Sequence, residues 1–169
     1  MFKMSIDVCN KDGKGDAVIS GFDTLDETVR SSFPVEHCRL MAVREHGDFA
    51  VALFDTRPTA EPYLYQVHYD RRDGRWSEGS SGNGSGWCSL RSESDLGVLT
   101  SWDEAPEGAD KVRAELEGKV AEENVTNGVY LFVWWDVPCR SHAEVTAFRI
   151  NGEWVPQPSI RSVLRQWGF

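Results

Sequence analysis

Three of the five Asx-Gly pairs, Asp73-Gly74, Asn127-Gly128 and Asn151-Gly152, stand between short apolar or alternating runs. Two-residue turns of this composition take positive φ at both positions and match the twist of paired antiparallel strands. They constrain the chain to short strands folded back on one another, and the runs between them agree. Cys38 to Arg44 reads as a strand, with a turn at Glu45-His46-Gly47-Asp48. Phe49 to Phe54 is continuously apolar, the mark of a strand buried on both faces. Tyr63 to Tyr69 mixes aromatic and β-branched residues, and Arg75 to Glu78 returns after the Asp73-Gly74 turn. Leu96 to Trp102 is another apolar segment. Val112, Ala114 and Leu116 alternate with Lys111, Arg113, Glu115 and Glu117, a strand with one wet face. Gly118 marks a turn into a weaker strand, Val120 to Val125. Val129 to Trp135, the most hydrophobic segment, follows Asn127-Gly128 as a hairpin and is expected at the centre of its half. Glu144 to Ile150 and Glu153 to Val155 flank the last pair.

Helical signals are few. Thr24-Leu25-Asp26-Glu27 fits a capping box, Leu25 and Val29 share a face, and Pro34 ends the segment. Ser159 caps a second short helix carrying Ile160, Val163, Leu164 and Trp167 on one face. Residues 79–86 read Gly-Ser-Ser-Gly-Asn-Gly-Ser-Gly, which suits a flexible loop. The expected fold is therefore α+β and mainly antiparallel β. An N-terminal meander with a short helix (residues 1–86) packs on a C-terminal Ig-like β-sandwich half (residues 87–169), as two parts or one compact unit.

With 18 Lys and Arg against 27 Asp and Glu, the chain carries a net charge of −9. A general nucleic-acid binder carries the opposite excess. No apolar run approaches the roughly 20 residues of a membrane span. Asp7, Asn10 and Asp12 interrupt the N-terminal segment where a secretory signal would be apolar, so a cytoplasmic protein is expected. Cys9, Cys38, Cys88 and Cys139 are then free thiols.

The segment Gly47 to Ala52, running through Tyr65 to Gly74-Arg75-Trp76, resembles the late hairpin of NTF2-like and cystatin-like α+β domains. The segment Ala109 to Val155, with Asn127-Gly128-Val129-Tyr130 and Phe148 to Trp154, resembles uncharacterised small β-sandwich proteins of actinobacteria. These resemblances are carried by turn and core patterns, and no catalytic residue follows from them.

The usual chemical motifs fail on spacing. Gly79 and Gly84 have P-loop separation, but Ser85 stands where the lysine belongs. Cys139 and His142 give half of a metal site without a second pair, and His37 and Cys38 are adjacent and so point to opposite faces of a strand. Cys139 beside Arg140, and Cys88, are the remaining candidates for a reactive thiol. No catalytic residue, metal ligand set or cofactor is assigned.

The most informative chemical feature is acidic. Residues 93–123 hold ten Asp and Glu against three Lys and Arg, a net of −7. Such a stretch either keeps a β-protein soluble or offers a docking field, and fields of this kind speed encounter with a partner of opposite charge. Trp102 beside Asp103 and Glu104, with Glu107, Asp110 and Trp87, is the expected binding surface, both tryptophans partly exposed. The reading is a non-catalytic cytosolic binding protein of the acidic inhibitor or immunity type, docking a basic partner protein as a monomer or small homo-oligomer. The alternative is a small-ligand binder or NTF2-like enzyme with a pocket between the halves, lined by Tyr63, Tyr65, His68 and Trp87. A third reading has Trp134 or Trp135, on opposite faces of one strand, packing against another subunit.

Overall fold

Residues 21–32, 37–85, 88–90, 95–138 and 140–157 are described by the structure, a computed structural model. Within them the protein is mostly antiparallel β with one short helix. Trp87, Cys139 and the expected C-terminal helix lie outside the described residues.

Helix α1 (Leu25–Ser32) starts at Thr24, whose hydroxyl oxygen accepts the Glu27 amide at 3.3 Å and donates to the Glu27 carboxylate at 2.9 Å. The capping box is half formed: the carboxylate takes the hydroxyl instead of the Thr24 amide. Eight residues are too few for a helix stable in isolation, and Val29 buries itself on the first sheet.

That sheet is a meander of β1 (Arg39–His46), β2 (Phe49–Asp55), β3 (Leu64–Arg72) and β4 (Arg75–Gly82) in chain order. The Asp73-Gly74 turn has φ of 52° and 78° and joins β3 to β4 as expected. Strand β2 is interior and buried almost throughout. Ala50, Ala52 and Phe54 join Val67, Tyr69 and Trp76 beneath α1, whereas Val51 and Leu53 face the other way. Residues 79–82, expected as loop, are strand: Ser81 pairs with Val67 and Gly82 with Gln66. Small side chains do not prevent pairing where the neighbouring strand supplies the hydrogen bonds.

A second sheet holds β5 (Cys88–Leu90), β6 (Leu96–Glu104) and β9 (Val129–Pro138). A third holds β7 (Ala109–Leu116), β8 (Lys119–Asn124), β10 (Ala143–Ile150) and β11 (Glu153–Pro156), in the order β11-β10-β7-β8. The Asn151-Gly152 turn joins β10 to β11 as expected. The Asn127-Gly128 turn has the φ values of its type, 54° and 78°, yet it is not the loop of a hairpin. Only Thr126 and Val129 bridge across it; β8 stays in the third sheet while β9 crosses to pair with β6.

The reason lies in β9 itself. Val129 and Leu131, with Val133 and Trp135 against them, pack with Met41, Val51 and Leu53 of the first sheet. Tyr130 and Phe132, with Trp134, pack with Val112, Ala114 and Phe148 of the third. A strand apolar on both faces needs cover on both, at about 1.5–3 kcal/mol for each large side chain buried. Strand β9 is an end strand of its sheet by hydrogen bonding, not the central one expected, but the second sheet is the middle layer. Trp134 and Trp135 do face opposite ways, and each is half-buried: Trp134 stacks on Phe132 and Trp135 on His46.

Polar contacts fix the layers. Met41 is a bulge residue left out of the β1–β2 ladder, and its carbonyl accepts the Asn127 side-chain amide at 3.0 Å. Arg39 donates to Asn127 Oδ1 at 3.1 Å, and Arg44 pairs with Glu123 at 2.7 Å. Gln66 is fully buried; its Oε1 accepts from Thr100 Oγ1 and Trp102 Nε1, and its Nε2 donates to the Gly84 carbonyl.

Candidate functional site: an acidic groove between two sheets

Strand alternation sorts the end of β6. Thr100 and Trp102 point to the first sheet, where Gln66 receives both. Ser101 and Asp103 therefore point to the third. Asp103 stands opposite Tyr130 in the β6–β9 register, and Ser101 opposite Phe132, so the four side chains share a face. Across from them, Phe148 of β10 meets the Tyr130 ring with centroids 5.7 Å apart and planes at 60°.

These elements leave a groove of about 580 Å³, walled by the end of β6, Ala105-Pro106 and the first half of β10. Asp103, Glu104, His142 and Glu144 are among its lining residues; alternation turns the Asp103 side chain to the groove and that of Glu104 to the first-sheet side, and the β10–β7 register sets Glu144 beside exposed Glu115 on the outer face of the third sheet. None of the three carboxylates is paired with a Lys or Arg among the described residues; Asp103 Oδ1 accepts the Glu104 amide at 2.8 Å. Ser101 and Tyr130 also line the groove, each only 8% exposed. Neither hydroxyl has a hydrogen-bond partner among the described residues. The Tyr130 phenol is pushed up to about 12, first by burial and then by the negative charge of Asp103. It is neutral at physiological pH, able both to donate and to accept.

Of the residues expected to bind, Asp103 and Glu104 meet in this groove, and Glu107 is exposed in the loop that follows β6. Asp110 is engaged elsewhere: Arg149 grips it with two hydrogen bonds, 2.9 and 2.5 Å, and these hold its carboxyl below the usual range. Trp102 is not exposed but 6% accessible, a core residue of the first interlayer. Its ring follows from alternation, because the neighbour of an inward Asp103 on the third-sheet side must face the first sheet.

The acidic stretch is not one continuous field either. Glu122 pairs with Arg113 at 2.7 Å, Glu123 with Arg44 at 2.7 Å, and Glu117 accepts the Ser141 hydroxyl at 2.7 Å. Pairing of β7 with β8 brings Arg113 to Glu122, and packing of the first sheet on the third brings Arg44 to Glu123. Among the described acids of the stretch without a basic partner, Asp103, Glu104 and Glu107 lie at the end of β6 and in the loop after it, Asp95 precedes β6, and Glu115 on β7 stands opposite Glu144 of β10.

Of the alternative pocket's residues, Trp87 lies outside the described residues, and Tyr65 and His68 do not share a face. Tyr65 packs on the helix side of the first sheet, with its hydroxyl 3.1 Å from Ser81 Oγ. His68, three residues on, faces the opposite side and is buried. Tyr63 lies under the Arg57 guanidinium, 4.4 Å from its ring centroid, and its hydroxyl accepts from Asn83. Cys38 is a half-buried free thiol pushed up by burial and by Asp55. Among the described residues no three His, Cys, Asp or Glu side chains are grouped to hold a metal ion. No helix there is long and apolar enough to cross a membrane.

Sequence reasoning did not place Glu144, Ser101, Tyr130 or Phe148 in the site. The period-two alternation of Ser101 and Asp103 carried part of the signal. Glu144 carried none, since it reaches the groove only through the pairing of β10 with β7. Compared with known protein families, curated protein sequences and solved structures, the chain matches none.

Proposed function

We propose that this is a non-catalytic binding protein of the acidic inhibitor type, which docks a basic partner protein at the end of β6. The observation that carries this reading is that Asp103, Glu104 and Glu144, all without a Lys or Arg partner among the described residues, stand around one groove, with Asp103 turned into it over Tyr130. Elsewhere the chain neutralises Asp110, Glu122 and Glu123 with its own arginines. Charges left unpaired in a concave site focus the field there and steer an oppositely charged partner. The facing sheets of the C-terminal half, read as an Ig-like sandwich, supply the rigid support such a site needs, and a cytoplasmic setting suits its free thiol.

The test is affinity capture from the native host with the wild-type chain and with D103K/E104K/E107K. A basic protein retained by the first and lost by the second supports the reading, provided its association rate falls at least tenfold in the variant and the salt dependence flattens. A captured partner whose association is indifferent to the triple reversal overturns it.

A further inference from the structure

The chain carries three Asn-Gly pairs, Asn83-Gly84, Asn127-Gly128 and Asn151-Gly152. We propose that Asn151 is a modification site, converted by spontaneous deamidation to aspartate and isoaspartate while the protein is folded, and that the fold protects the other two asparagines. The Gly152 amide nitrogen bonds to Asn151 Cγ as the Cγ–Nδ2 bond breaks, and the amide proton leaves with Nδ2 as ammonia. Water then opens the cyclic imide. Cleavage at Cγ gives aspartate, and cleavage at the backbone carbonyl gives isoaspartate. Glycine has no Cβ to crowd the approach, so the three pairs share one intrinsic chemistry and only the structure distinguishes them.

The reaction needs a carboxamide free to turn towards the amide nitrogen that follows it. Asn127 is not free: its Nδ2 donates to the Met41 carbonyl at 3.0 Å and its Oδ1 accepts from Arg39 at 3.1 Å. Asn83 donates its side-chain amide to the Tyr63 hydroxyl, and the Gly84 carbonyl beyond it accepts from Gln66 at 3.1 Å. Asn151 is exposed, and its side chain has no hydrogen-bond partner among the described residues.

The backbone adds a second distinction. Asn151 and Gly152 have φ of 53° and 84°, and Ile150 pairs with Glu153 across them. The flanking residues close such a turn, so the Gly152 amide is not part of the ladder. The left-handed conformation must still relax before nitrogen and Cγ meet, and the rate therefore follows local opening. Strand β11 is four residues long, lies at the end of its sheet and pairs there with β10 alone. Short end ladders open at a small fraction of the global stability. Asn127-Gly128 stands instead between strands of two sheets. Thr126 and Val129 bond each other in both directions across it, at 2.9 and 3.0 Å, and the Gly128 carbonyl accepts the Ala105 amide at 2.8 Å. Isoaspartate adds a methylene to the backbone of a two-residue turn, so conversion at Asn151 breaks the fit of β11 to β10.

The experiment incubates the full-length folded protein at mildly alkaline pH in water labelled with heavy oxygen, beside a sample unfolded in urea. Trypsin cuts after Arg75, Lys119 and Arg149 and places the three pairs on separate peptides, which mass spectrometry follows over time. In the folded protein Asn151 is expected to convert about tenfold faster than Asn127, on the scale of the two hydrogen bonds that hold Asn127. Asn83 is expected to lag Asn151 as well. In urea the three rates are expected to converge. Arg39→Ala, which leaves Asn127 one of its two bonds, is expected to speed that site about threefold and to leave Asn151 unchanged. Equal rates at Asn151 and Asn127 in the folded protein overturn the proposal, as does conversion of Asn151 in urea alone. A difference that persists undiminished in urea overturns it too, because sequence rather than fold would then set the rates. An Asn127 rate indifferent to Arg39→Ala overturns the protection assigned to that bond.

Discussion

The side-chain oxygen of Gln66 receives the indole N–H of Trp102 at 3.0 Å, a contact between residues 36 apart in the chain and buried from solvent. The same oxygen also accepts Thr100 Oγ1 at 2.5 Å, and the amide nitrogen reaches the Gly84 carbonyl at 3.1 Å. One glutamine thus closes the interface between the first sheet and the middle one. The first sheet buries its apolar residues on both faces, so leaving the bonds of a buried polar group in it unmade is costly.

Replacing Gln66 with Met keeps the volume, removes the hydrogen bonds with Thr100, Trp102 and Gly84, and leaves the buried Trp102 indole N–H without its acceptor. A loss of about 2–4 kcal/mol in stability is expected from the three bonds lost. Urea denaturation measures it. A double-mutant cycle with Trp102→Phe is expected to return a coupling of about 0.5–3 kcal/mol. Additive losses would mean that the two side chains do not depend on each other.

His68 gives the fold a pH dependence. Burial lowers its imidazole from 6.5 to about 4. The unfolded chain therefore binds the proton more readily than the folded one. Its contribution is complete above pH 6.5 and is lost as the pH falls from 6.5 towards 4. The whole window corresponds to about 3 kcal/mol at 1.36 kcal/mol for each tenfold change in proton affinity. Denaturant midpoints for the wild type and His68→Gln, taken at pH 7, 5.5 and 4, are expected to converge towards the acid end. Parallel curves would show that another group sets the slope.

The Asn127-Gly128 turn is held by its side chain as much as by its backbone. Gly128 has φ of 78°, open to glycine and costly to alanine, so Gly128→Ala is expected to lose about 1 kcal/mol. Asn127→Ala removes the bonds to the Met41 carbonyl and from Arg39, and is expected to lose about 1–3 kcal/mol. Asn127→Gly keeps the backbone conformation and loses only the bonds. Thermal unfolding of the three variants separates the two effects; an Asn127→Gly variant as stable as wild type would show that the clamp is dispensable.

This turn also shows where the sequence is legible and where it stops. The dipeptide encodes the local φ pair, and the two-faced apolar pattern of β9 encodes the need for cover on both sides. Neither encodes which strand β9 pairs with, because that choice is made by whole layers. Trp102 is the same case at a single residue. Its neighbours Asp103 and Glu104 suggest a wet surface, whereas alternation and the Gln66 acceptor put its ring inside. Local charge marks Asp103 and Glu104 as candidates; Tyr130 and Glu144 come near them only through pairing between distant strands. The acids of β7 and β8 were readable as charge but not as pairs, since their arginines come from β1, β7 and β10.

The acids of this chain are accordingly expected to divide by function. Charge reversal at Asp103 or Glu104, which have no basic partner among the described residues, is expected to change stability by less than about 0.5 kcal/mol, as surface substitutions usually do. Glu123→Lys is different. It places a cation 2.7 Å from where Arg44 now holds a carboxylate, on side chains only 30% and 27% exposed, between the first and third sheets. Loss of the pair alone is expected to cost about 1 kcal/mol, and repulsion adds to it. Arg44→Glu on its own repeats the loss, and Arg44→Glu combined with Glu123→Lys is expected to recover most of it. Chemical denaturation at low and high salt reads all four chains. Equal destabilisation by Asp103→Lys and Glu123→Lys would remove the distinction between carboxylates held for structure and carboxylates left open for a ligand.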